Sequence, residues 1–175
     1  MRRIALAGSL GLSLLATLGA QQPAPPLDGA HRLFQDSLFD RLTGAWSMSG
    51  VVRGRPATLT ASAAWVLNHQ FLRLDMRDVN DPPAYEANVY IGYDNTSERY
   101  VAHWLDNFGG RFSETLGFGR RSGNAITFTF EYPDGPFLTT FTLDPHAGMW
   151  AMLMQDRGPT GEWREFAHYA LRRRE

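Results

Sequence analysis

Cysteine is absent from all 175 residues. That excludes disulfides, thiolate metal sites and lipid attachment through a lipobox thiol, so the fold must be held by its core alone. Lysine is absent too, every basic residue being arginine. A phosphate-binding role would not remove lysine everywhere, and the bias reads as genomic composition. Net charge is small, −1 for the whole chain, and becomes −3 once Arg2 and Arg3 are subtracted. Such a balance gives no electrostatic reason to expect nucleic acid or an anionic membrane as a partner. After Leu18 no apolar run approaches the roughly 20 residues a helix needs to cross a bilayer. Catalytic signatures are missing as well. No serine sits in G-x-S-x-G, no glycine-rich loop opens a helix, and no histidine pair has metal-ligand spacing. Glu86, Glu114 and Glu131 could serve a glycosidase only if two of them shared a cleft. No activity and no cofactor is therefore expected from motifs.

What is present begins with compartment. Arg2 and Arg3 precede an apolar stretch from Ile4 to Leu18, then the small residues Gly19 and Ala20 and the polar Gln21 and Gln22. This order predicts a signal peptide over 1–20, cut after Ala20, and a periplasmic or secreted protein. Residues 21–29 form a Pro-rich flexible leader. Residues 30–175 are then enough for one domain and too few for two ordinary ones.

Within that domain, Leu33 or Phe34, Leu38 and Leu42 recur at helical spacing and predict a short helix from Ala30 to Leu42. From Leu42 the period becomes two. Leu42 to Arg53, Ala57 to Leu67, Gln70 to Val79, Tyr85 to Tyr93, Arg99 to Asp106, Arg111 to Gly119, a segment through Ile126 and Tyr132, Phe137 to Asp144, Gly148 to Arg157 and Glu165 to Arg173 all read as strands. Between them lie turn formers such as Asn68-His69, Asp81-Pro82-Pro83, Ser122-Gly123-Asn124 and Pro133-Asp134-Gly135-Pro136. About ten consecutive strands without interleaved helices predict an all-β fold, a single antiparallel up-and-down β-barrel, since closure removes exposed edges.

Leu42-Thr43-Gly44-Ala45-Trp46, then Gly92-Tyr93-Asp94-Asn95 with Tyr100 and Trp104-Leu105-Asp106, then Tyr169 with Arg172 and Arg173, together resemble an uncharacterised bacterial family of lipocalin-like (calycin) domains of unknown function. The resemblance spans about Leu38 to Arg173. It implies that Trp46 closes one end of the barrel beneath the guanidinium of Arg172 or Arg173, a cation–π contact. It also implies the calycin use of the fold, the holding of a small hydrophobic or amphipathic molecule. Wall residues for such a cavity are Leu72, Leu74, Val89, Ile91, Trp104, Phe128, Phe130, Phe141, Trp150 and Met152, with Tyr93 and Arg73 as polar anchors. The same residues could instead fill a closed core and leave a structural or interaction barrel. A further alternative is haem or gas binding of the nitrobindin type, with His168 in the last strand as axial ligand and His103 as a weaker candidate. Oligomeric state is not legible.

Overall fold

A computed structural model of the protein describes residues 33–175. The signal peptide at 1–20, the leader at 21–29 and the start of the expected helix lie outside the described residues. Ten strands follow one another: β1 (Gly44–Val52), β2 (Arg55–Val66), β3 (Phe71–Asp78), β4 (Glu86–Asp94), β5 (Arg99–Asp106), β6 (Leu116–Ser122), β7 (Ala125–Tyr132), β8 (Gly135–Asp144), β9 (Met149–Arg157) and β10 (Trp163–Arg173). Each pairs antiparallel with its sequence neighbour. The last, β10, returns to β1, so the sheet closes into a barrel. The closing seam runs from Trp46 opposite Arg173 to Val52 opposite Ala167. No sheet edge is left unpaired, as the chain of alternating strands requires.

Alternation decides which side chains fill the interior. Leu72, Leu74 and Met76 of β3 are buried, and so are Ile126, Phe128 and Phe130 of β7. Arg73, Asp75 and Arg77 lie on the opposite face of β3 and form polar contacts outside the barrel. On β6 the inward positions are glycines. A Cβ at Gly117 would lie 2.5 Å from the Phe130 ring, and one at Gly119 would lie 2.8 Å from the Phe128 ring. Two large rings therefore occupy volume that side chains on β6 would otherwise need.

Two expected elements are different. The N-terminal helix is a single turn, α1 (Ser37–Asp40), preceded by extended chain. Asp36 stops it from winding further back. Its backbone is extended, at φ −140° and ψ 107°, and its carboxylate caps the Leu38 N–H at 2.8 Å. The same carboxylate accepts from the Tyr100 hydroxyl and, at 3.0 Å, from Arg121. Three partners from β5, β6 and α1 fix this residue, and a continuous helix would pull it away from them. The segment Arg111 to Gly119 is likewise not all strand. Residues Gly110–Ser113 form a helical turn, α2, and pairing begins only at Leu116. Asp106 accepts from the Phe108 N–H at 3.0 Å, and Gly109 bends the chain at φ +89°. No inward position exists for Phe112, which stays 43% exposed.

Asp36 is nearly buried, so its removal strands the Tyr100 hydroxyl and one end of Arg121. Asp36→Ala is expected to cost about 3 kcal/mol, the scale for breaking one partner out of a buried charged network. Urea unfolding would check this, a loss below about 1 kcal/mol showing the network to be surface-like.

Candidate functional site: one sealed end and one polar aromatic mouth

The two ends of the barrel are built from different chemistry. At the end where the chain enters, Phe34, Leu38, Phe39 and Leu42 sit across the opening, all buried. Trp46 is fully buried beneath them, its indole N–H donating to Leu42 O at 2.7 Å. Arg173 lies over the Trp46 ring with its guanidinium carbon 4.4 Å from the centroid, and donates to Thr43 O at 2.9 Å and Arg41 O at 3.1 Å. The expected lid on Trp46 is thus Arg173. Arg172 points to the other face and donates to Met149 Sδ. The Trp150 indole donates to Arg41 O at 3.4 Å and completes the seal. Tyr93 is also at this end, stacked on Phe34 at 6.0 Å and edge-on to Tyr100 at 5.0 Å. It is not next to Trp104, as one ligand held by both would require. A recess of about 170 Å3 remains between Phe34, Asp36, Tyr93 and Tyr100.

The middle of the barrel is packed. Leu72, Leu74, Val89, Ile91, Trp104, Phe128, Phe130, Phe141, Trp150 and Met152 all point inward and belong to one core cluster. Phe128 meets Phe141 edge-on at 6.3 Å. Thr139 is the exception in polarity. It faces inward between Phe137 and Phe141, is 1% exposed, and its hydroxyl has no hydrogen-bond partner. An orphaned buried hydroxyl costs about 1–3 kcal/mol, so its retention asks for a reason.

The opposite end is built from polar and aromatic side chains. Register sets Asp78 at the end of β3, Tyr85 just before β4 and Asp106 at the end of β5 side by side. The Asp78 N–H donates to Tyr85 O at 2.8 Å, and Ala87 pairs with Asp106. The Trp104 indole donates to the Tyr85 hydroxyl at 2.9 Å. Trp104 meets Phe130 edge-on at 6.5 Å, Phe130 stacks on Tyr132 at 5.8 Å, and Tyr132 meets Phe137 at 6.2 Å. Tyr169 of β10 contributes a further inward hydroxyl. Outside this cup, Phe108 lies 5.8 Å from Tyr85 and is 66% exposed.

The electrostatics match half-buried carboxylates among phenols. Burial raises the Asp106 carboxyl above its ordinary range, and the Phe108 N–H offsets part of that. Burial also raises Tyr85, a rise that the Trp104 donor opposes and the nearby Asp106 charge reinforces. Tyr132 is raised by burial and then by Asp106, Tyr169 by burial and then by Asp78. Because the folded-state pKa of Asp106 lies above its unfolded value, the charge costs nothing at pH below the unfolded pKa. It then destabilises the fold increasingly as pH rises through the folded one. Asp106→Asn keeps an acceptor for Phe108 and removes the charge. It is expected to be more stable than the native protein at about pH 7 and equal to it at about pH 3. Urea midpoints that differ equally at both pH values would contradict this.

Other expected sites lie elsewhere. Arg73 is outside the barrel, paired with Asp75 at 3.0 Å, so it cannot anchor a ligand within. His168 is also outside, half exposed and bonded to Glu165, because Ala167, Tyr169 and Leu171 take the inward positions of β10. Axial ligation of an enclosed haem by His168 is therefore geometrically excluded. His103 faces outward and contacts Ser113 O at 2.7 Å. A groove of about 610 Å3 on the outer face of β2 to β5 is lined by polar and apolar groups in similar measure, and Arg77 and Glu86 pair within it. Among the described residues no group of three or more His, Asp or Glu could hold a metal, and no helix is long and apolar enough to cross a membrane.

These features define a closed, ten-stranded antiparallel barrel with one stoppered end and one aromatic, acidic mouth. The chain belongs to the family described as protein of unknown function (DUF1579), whose model matches residues 34–173. Among solved structures it is similar to Rv2717c from M. tuberculosis, with a TM-score of 0.52 and 15% identity over 78% of this chain and 95% of that one. At that identity the likeness is one of fold. No curated protein matches the chain.

Proposed function

We propose that the protein is an exported binding barrel that takes up a small hydrophobic or amphipathic molecule at the mouth formed by Tyr85, Trp104, Tyr132 and Tyr169. The observation that carries this reading is the asymmetry of the ends. One is closed by Trp46 under Arg173, while the other presents hydroxyls, an indole and two carboxylates on inward-facing positions. Polar groups at the lip of an apolar interior are how ligand sites of this kind fix orientation. Export is supported by the basic, apolar and small-residue order of 1–20. The resemblance to calycin barrels supports the same use of the fold.

A second reading, a filled barrel serving as an interaction domain, is favoured by the tight packing of Phe128 on Phe141. Native mass spectrometry of the protein purified from its own periplasm separates the two. A co-purifying small molecule supports the binding barrel. A protein that carries no adduct, and acquires none when incubated with apolar probes, supports the filled one.

A further inference from the structure

We infer that the molecule this mouth accepts carries a positive charge: an amphipathic amine or quaternary ammonium ion, its head seated between Asp106 and the rings around it. The inference rests on the mouth being the binding end.

Four carboxylates elsewhere on the strands have basic partners, and the three that have none among the described residues, Asp94, Glu131 and Asp144, stand at outward positions. Asp75 meets Arg73, Glu86 meets Arg77, Asp156 meets Arg164 and Glu165 meets His168. Asp78 and Asp106 stand at inward-facing strand ends, and among the described residues neither has a cation within ion-pair distance. The Asp106 carboxylate accepts only the Phe108 N–H, and that of Asp78 only the backbone and side-chain N–H groups of Asn80. A half-buried carboxylate without a counter-charge is costly, and a bound cation would compensate it.

The neighbouring groups suit the same ligand. Tyr85 and Tyr132 are partly buried rings beside the nearly buried Trp104, and aromatic π-faces attract a desolvated ammonium group far more than they attract an anion. Phenol and threonine oxygens accept hydrogen bonds from an amine, and the partnerless Thr139 hydroxyl lies on the interior face one inward position below Phe137. An anionic head would find two carboxylates and no facing cation. The ligand's apolar portion has a place to lie as well, since Phe108 and Phe112 are exposed beside the cup on the β5–β6 connection.

The experiment compares three molecules with one chain length: decyltrimethylammonium, decanol and decyl sulfate, each titrated calorimetrically below its aggregation threshold. Decyltrimethylammonium is expected to bind at least about tenfold more tightly than decyl sulfate, the scale of a desolvated cation–π and carboxylate contact. Asp106→Asn should remove most of that preference, weakening decyltrimethylammonium far more than decanol. Equal affinity for the cationic and anionic chains overturns the inference while decanol binding upholds the binding barrel. An Asp106→Asn protein with undiminished cation preference overturns it too. If none of the three binds, the mouth is not a ligand site and both readings fall.

Discussion

Trp46→Ala is expected to destabilise the protein by about 5 kcal/mol, the upper range for deleting a buried tryptophan. Three separate losses combine at this position. The ring is 0% exposed, its N–H satisfies Leu42 O, and its face carries the Arg173 guanidinium. Because Arg173 also holds the Thr43 and Arg41 carbonyls, losing the ring unseats the loop that leads into β1. A domain of this size has about 5–15 kcal/mol in total, so the variant should be partly unfolded at 37 °C. Urea unfolding measures the loss. Trp163→Ala, at an exposed position over the rim, is the control and should cost under about 1 kcal/mol. Equal losses at the two sites would mean that the sealed end is no more than surface.

Gly50→Ala is the second large effect, expected at about 3 kcal/mol. Gly50 faces inward on β1 opposite Tyr169 of the closing strand. A methyl there would lie 1.8 Å from the His168 carbonyl oxygen and 2.8 Å from its carbon, both backbone atoms that cannot rotate aside. The seam between β1 and β10 has to part for the side chain to fit. Gly110→Ala is the matched control. Its added methyl meets nothing within 4 Å, and the residue lies in a helical turn, so it should be neutral or slightly stabilising. If Gly50→Ala unfolds at the native midpoint, the seam is looser than a closed barrel requires.

The strands were legible because a sheet with one face in a core writes its period directly into the residues. Leu72, Leu74 and Met76 against Arg73, Asp75 and Arg77 is such a case. The seal was legible too, since Gly44-Ala45-Trp46 and the arginine-rich end of β10 are distinctive, although only register selects Arg173 over Arg172. Apolar spacing predicts a longer N-terminal helix than forms because it says nothing of Asp36, whose partners Tyr100 and Arg121 are 64 and 85 residues away. The chemistry of Arg73 and His168 does not reveal their faces, and register puts both outside the barrel.

The mouth was the least legible part. Tyr85, Asp106, Tyr132 and Tyr169 come from four separate stretches of the chain, and Asp106 and Tyr132 in isolation each read as the last residue before a turn. Asp106 does cap the Phe108 turn, as its sequence context indicates, and that local role hid its inward position. A signal was present nonetheless. Following the inward parity of each strand to its terminus places a tyrosine or aspartate at the same end on β3, β5 and β7, which no sealed hydrophobic end would need.

The five tryptophans provide the most direct test of an asymmetric barrel, because their indole N–H resonances report separately on each end. Titration of 15N-labelled protein with the neutral apolar probe N-phenyl-1-naphthylamine should shift the Trp104 indole signal and leave those of Trp46 and Trp150 in place. Movement of Trp46 or Trp150 without Trp104, or no movement at any of the three, would contradict an entrance at the tyrosine-lined end.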